Sequence, residues 1–239
     1  MNQGVYPLAA SMINQINRLD QISNNLANIN TNGFKQEGTT ETTFNYYLER
    51  MQKEATPPTN INIITNNIPK IDSKYINTEM GPVVATGNSL DFALTKPDTF
   101  FKIQNEKGDI VYSRDGAFKN LDNFLVDSNG NNVLNTDNEP IVIEDGFESQ
   151  IGVVKIPYEN LEKIGNNTYM ASADAQMEIF GNNDNMIIQG SLEKSNVNSV
   201  SAMVELIDAH RRFEQSQKAV KSIDELNASL IEKVGSTTR

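Results

Sequence analysis

The sequence predicts an α+β protein. N- and C-terminal helices form an antiparallel coiled-coil domain, and a central antiparallel β domain lies between them in the chain. Three observations predict it. Apolar residues at both ends recur on alternating steps of three and four, the seam of a coiled coil. The middle alternates short apolar runs with Gly, Asn and Asp turns, the pattern of short antiparallel strands. Charge divides the chain at the same places. Of the formal net charge of −11 over 239 residues, residues 1–30 contribute only Arg18 and Asp20, and residues 200–239 carry six groups of each sign. Residues 31–199 hold 24 acidic and 13 basic groups, which is the whole excess. Neutral ends can pack closely without repulsion. The expected division is 1–30 with 196–239, a linker over 31–75, and a β-rich domain over 76–195.

The first element is a helix over the first 30 residues. Val5, Leu8, Met12, Leu19, Ile22, Leu26 and Ile29 mark its seam, and Gln15 fills the missing place. Ile13 and Ile16 lie off the seam and widen the stripe. Pro7 sits early, where a helix tolerates it. Asn30-Thr31-Asn32-Gly33 ends the pattern, because Asn and Gly supply the left-handed conformations of a C-terminal cap or turn. Residues 34–75 show no clear period. Phe44 to Met51 reads as a short helix or strand, Thr56-Pro57-Pro58-Thr59-Asn60 stops it, and 59–77 reads as an extended connector.

From Gly81 to about Gly190 the expected strands lie at Leu90–Leu94, Phe100–Ile103, Ile110–Tyr112, Phe124–Val126, Ile141–Ile143, Val153–Ile156, Thr168–Met170 and Met186–Ile188. Lys107-Gly108-Asp109, Asp115-Gly116, Asn129-Gly130 and Asp145-Gly146 punctuate them as turns. After Gly190 the helical period returns. Asn196 or Asn198 is placed to cap it. Leu206, Ala209, Phe213, Val220, Ile223, Leu230 and Val234 form its seam, with Ser216 and Asn227 as polar interruptions. Some 38 residues at about 1.5 Å each make a helix of roughly 55–60 Å. A helix of that length needs a partner, and the N-terminal seam supplies one. Ile13, Ile16, Met203 and Ile207 would still need covering, and neighbouring copies of the chain would do it.

Composition excludes several classes. With no Cys there is neither a disulfide framework nor a thiolate metal site. No apolar run reaches the length of a membrane span. The N-terminus lacks the basic region and apolar core of a secretory signal. A pI near 4.6 argues against a phosphate-facing surface for nucleic acid. No catalytic, cofactor or metal residues are expected. His210 has no companion ligand and reads as a packing or solvated side chain on the C-terminal helix. Asp127-Ser128-Asn129-Gly130-Asn131 starts like a calcium loop, but its Gly falls at the fourth place and Asn138 stands at the twelfth, so it reads as a polar hairpin. Arg114-Asp115-Gly116 reads as a β-turn with a locally paired Arg, and Phe100-Phe101 as core. The chain shows no P-loop, dinucleotide fingerprint or nucleophile elbow.

Four segments carry a resemblance. They are Ser23-Asn24-Asn25-Leu26-Ala27-Asn28-Ile29-Asn30-Thr31-Asn32-Gly33-Phe34-Lys35; Thr86 to Leu94 followed by Phe100-Phe101; Tyr112-Ser113-Arg114-Asp115-Gly116-Ala117-Phe118; and Ser195 to Asn198 followed by Met203 to Ile207 and Arg211 to Glu214. In this order they resemble the signatures of the bacterial flagellar basal-body rod and hook proteins, over nearly the whole chain. Gly33 is expected in a conformation closed to other residues. Phe34 is expected to pin the exit of the chain into an apolar pocket.

The resemblance implies a non-enzymatic subunit of the periplasmic rod. The terminal helices would form the inner domain lining an axial channel, and 76–195 the outer sleeve. Its partners would be copies of itself, other rod proteins and the flagellar type III export apparatus, with no nucleic acid and no membrane insertion. The assembly residues would be Asn24, Asn25, Leu26, Asn28, Gly33, Phe34, Leu206, Phe213, Val220, Ile223 and Leu230. Phe44 and Leu48 resemble an export-gate recognition segment, which would carry the protein out without a cleaved signal. The stretch between Arg50 and Gly81 lacks the Gly-rich segment of the distal rod type, so the proximal type is expected first and the distal or hook type second. From other classes, an extracellular β-rich adhesin on coiled-coil stalks, or a glycan-processing enzyme, would need a secretion signal or a recognisable carboxylate pair respectively.

Overall fold

The computed structural model describes residues 5–43, 69–165, 167–180 and 186–236. They fall into two compact units. Of the described residues, one holds 5–26, 37–43, 69–75 and 199–236, and the other holds 27–36 and those between 76 and 198.

The first unit contains helix α1 (Val5–Ala27), strands β1 (Glu37–Thr43) and β2 (Pro69–Ile76), and helix α2 (Ser199–Ser236). β1 and β2 pair as a two-stranded sheet, so regular structure occurs in a stretch whose sequence shows no period. Along α1, Asn14, Gln15, Ile22 and Asn25 are buried, and Leu8, Met12, Leu19 and Leu26 are half-buried. Along α2, Ala202 and Ala209 are buried, and Leu206, Phe213, Ser216, Val220, Ile223 and Asn227 are half-buried. Each of these α2 residues follows the last by three or four positions, so one stripe of a 38-residue helix is covered. The stripe ends before Leu230, which is 60% exposed. α1 has only 23 residues and cannot line the full length of α2.

The second unit is the β domain. Its strands are β3 (Val83–Ala85), β4 (Phe92–Leu94), β5 (Thr99–Gln104), β6 (Ile110–Ser113), β7 (Lys119–Leu121), β8 (Phe124–Val126), β9 (Asn132–Val133), β10 (Val153–Lys155), β11 (Leu161–Gly165), β12 (Thr168–Ala171), β13 (Glu178–Phe180), β14 (Ile187–Gln189) and β15 (Ser191–Glu193). The main antiparallel sheet runs β11-β12-β6-β5-β9-β8-β7, and β10 joins β5 to β13. Two small ribbons, β14-β4 and β15-β3, complete it.

Alternation along β5 and β10 makes two cores. Phe101 pairs with Val153 and Phe100 with Val154. Successive side chains of a strand point to opposite faces. Phe101 and Val153 therefore join Phe92, Leu94, Phe118, Leu125 and Ile141 in one cluster. Phe100 and Val154 join Tyr112, Ile156 and Tyr169 in the other. Phe101 packs edge-on to Phe118 at 5.1 Å, and Phe100 to Tyr158 at 5.1 Å.

The expected strand at Ile141–Ile143 is instead a single bridging stretch, with Phe124 opposite Val142 and Leu134 opposite Pro140. Pro140 has no N–H for a ladder, which limits the pairing there. β3, β7, β9, β11, β13 and β15 escape the sequence pattern. β7 is exposed throughout and β13 nearly so, and strands with no buried face carry no alternation to read.

Candidate functional site

The flagellar-like N-terminal segment is held by side-chain amides and a buried ion cluster. Near the end of α1, Asn25 Nδ2 donates to the Glu37 carbonyl at 2.8 Å, and the Glu37 N–H donates to Asn25 Oδ1 at 3.0 Å. One amide thus imitates a strand partner for β1. Thr39 Oγ1 donates to Gln21 Oε1 one residue pair further along. Asn24 is exposed, and Leu26 and Asn28 are half-buried. The Thr31 hydroxyl donates to Asn28 Oδ1, and the Thr31 N–H donates to the Asn28 carbonyl, making the turn that follows the helix.

In the β domain, Asn32–Gln36 lies beside Glu193–Asn196, so the segments by which the chain enters and leaves that unit are clasped together. The Gly33 N–H donates to the Glu193 carbonyl at 2.8 Å, and the Asn196 N–H to the Phe34 carbonyl. Gly33 has φ 66°, and a Cβ there would lie 2.5 Å from the Arg114 carbonyl carbon and oxygen. Only Gly fits both conditions. Phe34 is buried, with Lys163 Nζ 4.3 Å from its ring centroid. Lys194 Nζ donates to Asn32 Oδ1, and Asn167 Nδ2 to the Asn32 carbonyl.

Beneath this lies a cluster of three buried charged side chains. Glu193 Oε1 accepts from Lys35 Nζ at 2.8 Å and from the Gly81 N–H at 2.9 Å. Glu193 Oε2 accepts from Arg114 Nε at 2.9 Å and Nη2 at 2.6 Å. Arg114 Nη1 donates to the Thr99 carbonyl at 2.6 Å, and also reaches the carbonyls of Lys96 and Pro97. Lys35 Nζ also donates to the Glu79 carbonyl. Burial, and next the Arg114 charge, push the Lys35 ammonium below its usual range against the opposing pull of Glu193. Every charge has a partner, as burial demands.

Two sequence expectations change here. Arg114 does not pair locally: its carboxylate lies 79 residues away, on β15. Asn196 is not a helix cap. Its Oδ1 accepts from the Gln36 N–H, and its Nδ2 donates to the carbonyls of Asn77 and Glu79. The sequence missed Glu193 and the role of Lys35. A buried Arg in a turn announces that a carboxylate is needed somewhere, but no local pattern says which one.

The arrangement holds chain segments together and consumes both Glu193 oxygens in doing so. Among the described residues, no cluster of three or more His, Cys, Asp or Glu could hold a metal ion. Asp127 spends its carboxylate on the N–H groups of Asn129 and Asn131, both at 2.8 Å, as a polar hairpin does. His210 is exposed beside Glu214. No helix among the described residues is long and apolar enough to cross a membrane. Phe44 and Leu48 lie outside the described residues.

The helices present a second feature. Ile13, Ile16, Val200, Met203, Val204 and Ile207 are all more than 40% exposed, while Leu206, Phe213, Val220 and Ile223 are half-buried on the stripe. Each helix therefore carries apolar surface beyond the stripe it already covers.

Comparisons with known proteins match the same regions. Residues 9–35 match the family described as flagella basal body rod protein. Residues 96–158 match the flagellar hook protein FlgE/F/G D1 domain, and 188–232 the flagellar basal body rod FlgEFG protein C-terminal. The first contains Gly33 and Lys35, the second Arg114, and the third Glu193. The chain is similar to a flagellar basal-body rod protein FlgG of Agrobacterium fabrum, 31% identical over 94% of this chain and 96% of the relative. It is similar to a FlgF of Caulobacter vibrioides, 29% identical over 98% and 99%. It is also similar to the hook-basal body complex protein FlhO of Bacillus subtilis, 27% identical over 94% and 95%.

Proposed function

The chain belongs to the flagellar basal-body rod protein family, and we propose from that premise that it is a structural subunit of the rod, polymerising into the drive shaft that transmits torque and encloses the export channel. The role is mechanical. The observation that carries it is the apolar surface left on both helices, in segments whose charges balance. Such surface on a long helix needs neighbours, and identical neutral helices are suitable ones.

In this reading α1 and α2 pair as an antiparallel coiled coil, the inner domain of the tube. Residues 31–75 clasp neighbouring subunits, and 76–195 form the outer sleeve, where the acidic excess faces away from the packed helices. The partners are copies of the chain and other rod proteins. Asn24, Leu26, Leu206, Phe213, Val220, Ile223 and Leu230 lie at or beside the helix contacts. Asn25, Asn28, Gly33 and Phe34 set the path of the chain between helix and β domain. The helices gain their full stability on assembly. Phe44 and Leu48 serve recognition at the type III export gate, delivering the protein to the periplasm. The proximal segment is its place along the rod. The adhesin reading is not supported, because the relatives that match along the chain's length are basal-body proteins.

Polymerisation tests this reading. Leu206→Asp or Phe213→Asp should abolish assembly while the β domain keeps its tertiary circular dichroism. Rods of normal length from either variant would refute the assignment of the helices to the assembly contacts.

A further inference from the structure

Gln15 breaks the apolar seam of α1, and Ser216 breaks that of α2. These two interruptions line the same groove. Leu8, Ser11 and Gln15 of α1 line a solvent-open groove of about 360 Å³ together with Arg212, Gln215, Ser216 and Ala219 of α2. Gln15 is only 7% exposed, and its Oε1 is buried without a hydrogen-bond partner. A buried amide oxygen in that state needs a donor. The α2 side of the groove is built of groups that donate: the Arg212 guanidinium, the Gln215 amide and the Ser216 hydroxyl. The hydroxyl is directed at the Arg212 carbonyl at 3.0 Å, and Arg212 Nε and Nη2 at Asp208. The Gln215 amide and the other guanidinium N–H groups are the available donors. The space is many times what one water needs, and it is polar, so water can complete the network.

We propose that this groove is a hydrated polar layer that fixes the register of α1 against α2. The inference rests on the antiparallel pairing put forward above. The apolar positions of both seams repeat every seven residues, and Leu, Val, Ile and Phe interfaces alone would tolerate a slide of one heptad. The slide is not neutral for Gln15. It would replace the lining residues Arg212, Gln215, Ser216 and Ala219 by Ala219, Ser222, Ile223 and Leu226, or by Glu205, Asp208, Ala209 and Arg212. Three donor-bearing side chains would fall to one: the Ser222 hydroxyl in the first register, and in the second the Arg212 guanidinium in company with the carboxylates of Glu205 and Asp208. A single polar residue in a coiled-coil core is known to select one register at a cost in stability. For a subunit that polymerises through these helices, a slide of seven residues displaces one helix by about 10 Å and would misplace every lateral contact.

The chain has no Cys, so introduced thiols report cleanly. Leu8→Cys with Ala219→Cys, both lining the groove, marks the native register. Leu8→Cys with Leu226→Cys marks the register one heptad away. In the otherwise wild-type full chain, oxidation should cross-link the first pair and leave the second at background. Adding Gln15→Leu with Ser216→Leu should raise the shifted cross-link several-fold at the expense of the native one. Met12→Leu, an apolar exchange in the same seam, should leave the selectivity unchanged and shows that the effect is polar. The layer is overturned if the double Leu variant stays as selective as the wild type, or if Met12→Leu loses selectivity equally. If neither pair cross-links in the wild-type background while the β domain is folded, the helix pairing itself is wrong.

Discussion

Glu193 accepts four hydrogen bonds from Lys35, Arg114 and the Gly81 N–H, and all of them are buried. Replacing it with Gln leaves two buried cations without a counter-charge. Removing one partner of a buried ion pair costs about 3–5 kcal/mol. Glu193→Gln should lower the urea midpoint by that equivalent, read through tyrosine fluorescence, since the chain has no Trp. An unchanged midpoint would mean the cluster is not holding the clasp. Gly33→Ala meets both a left-handed backbone and the Arg114 carbonyl. The backbone alone costs about 1–3 kcal/mol, and the same titration measures it. Asp115 gives a pH dependence. Burial lifts its carboxyl above its ordinary 3.8, against the opposing hydrogen bond from the Ala117 N–H. The folded chain then holds that proton more tightly than the unfolded one. Its stabilising contribution is full below about pH 3.8 and is lost as pH rises through the folded value. Asp115→Asn should therefore gain on the wild type between pH 4 and pH 7 in urea midpoints. A difference that is equal at both pH values would contradict the shift.

At the scale of elements, α2 is the test of how far periodicity reaches. Its 38 residues and its covered stripe, Leu206 to Asn227, follow the three/four steps of the sequence, because burial on a helix repeats with the backbone. Of the strands with buried faces, β4, β5, β6, β8 and β10 were legible as short apolar runs, and β15 was not, because two of its three buried residues are Ser191 and Glu193. β7 and β13 were not, since a strand with little or nothing buried leaves no pattern. β1 and β2 were hidden by polar residues whose partners come from elsewhere, such as Asn25 beside Glu37. The clasp was half legible. Gly33 and Phe34 announce themselves by residue type and place, while Glu193 depends on a partner distant in sequence. The exposed apolar residues of α2 leave its amides weakly protected in the monomer, and hydrogen exchange there should slow at least tenfold on assembly. Equal exchange in both states would show that the helix is stabilised within one chain.

For the whole molecule, the partition of charge acquires a structural counterpart. Both neutral ends belong to one compact unit, and most of the acidic excess belongs to the other. If this chain builds the rod, its loss removes the shaft. Electron cryotomography of the motor, with and without the chain in its own bacterium, tests that most directly. The account predicts that cells lacking it have a missing or truncated rod and no filament, and that the wild-type chain restores both. A full-length rod in its absence would contradict the account.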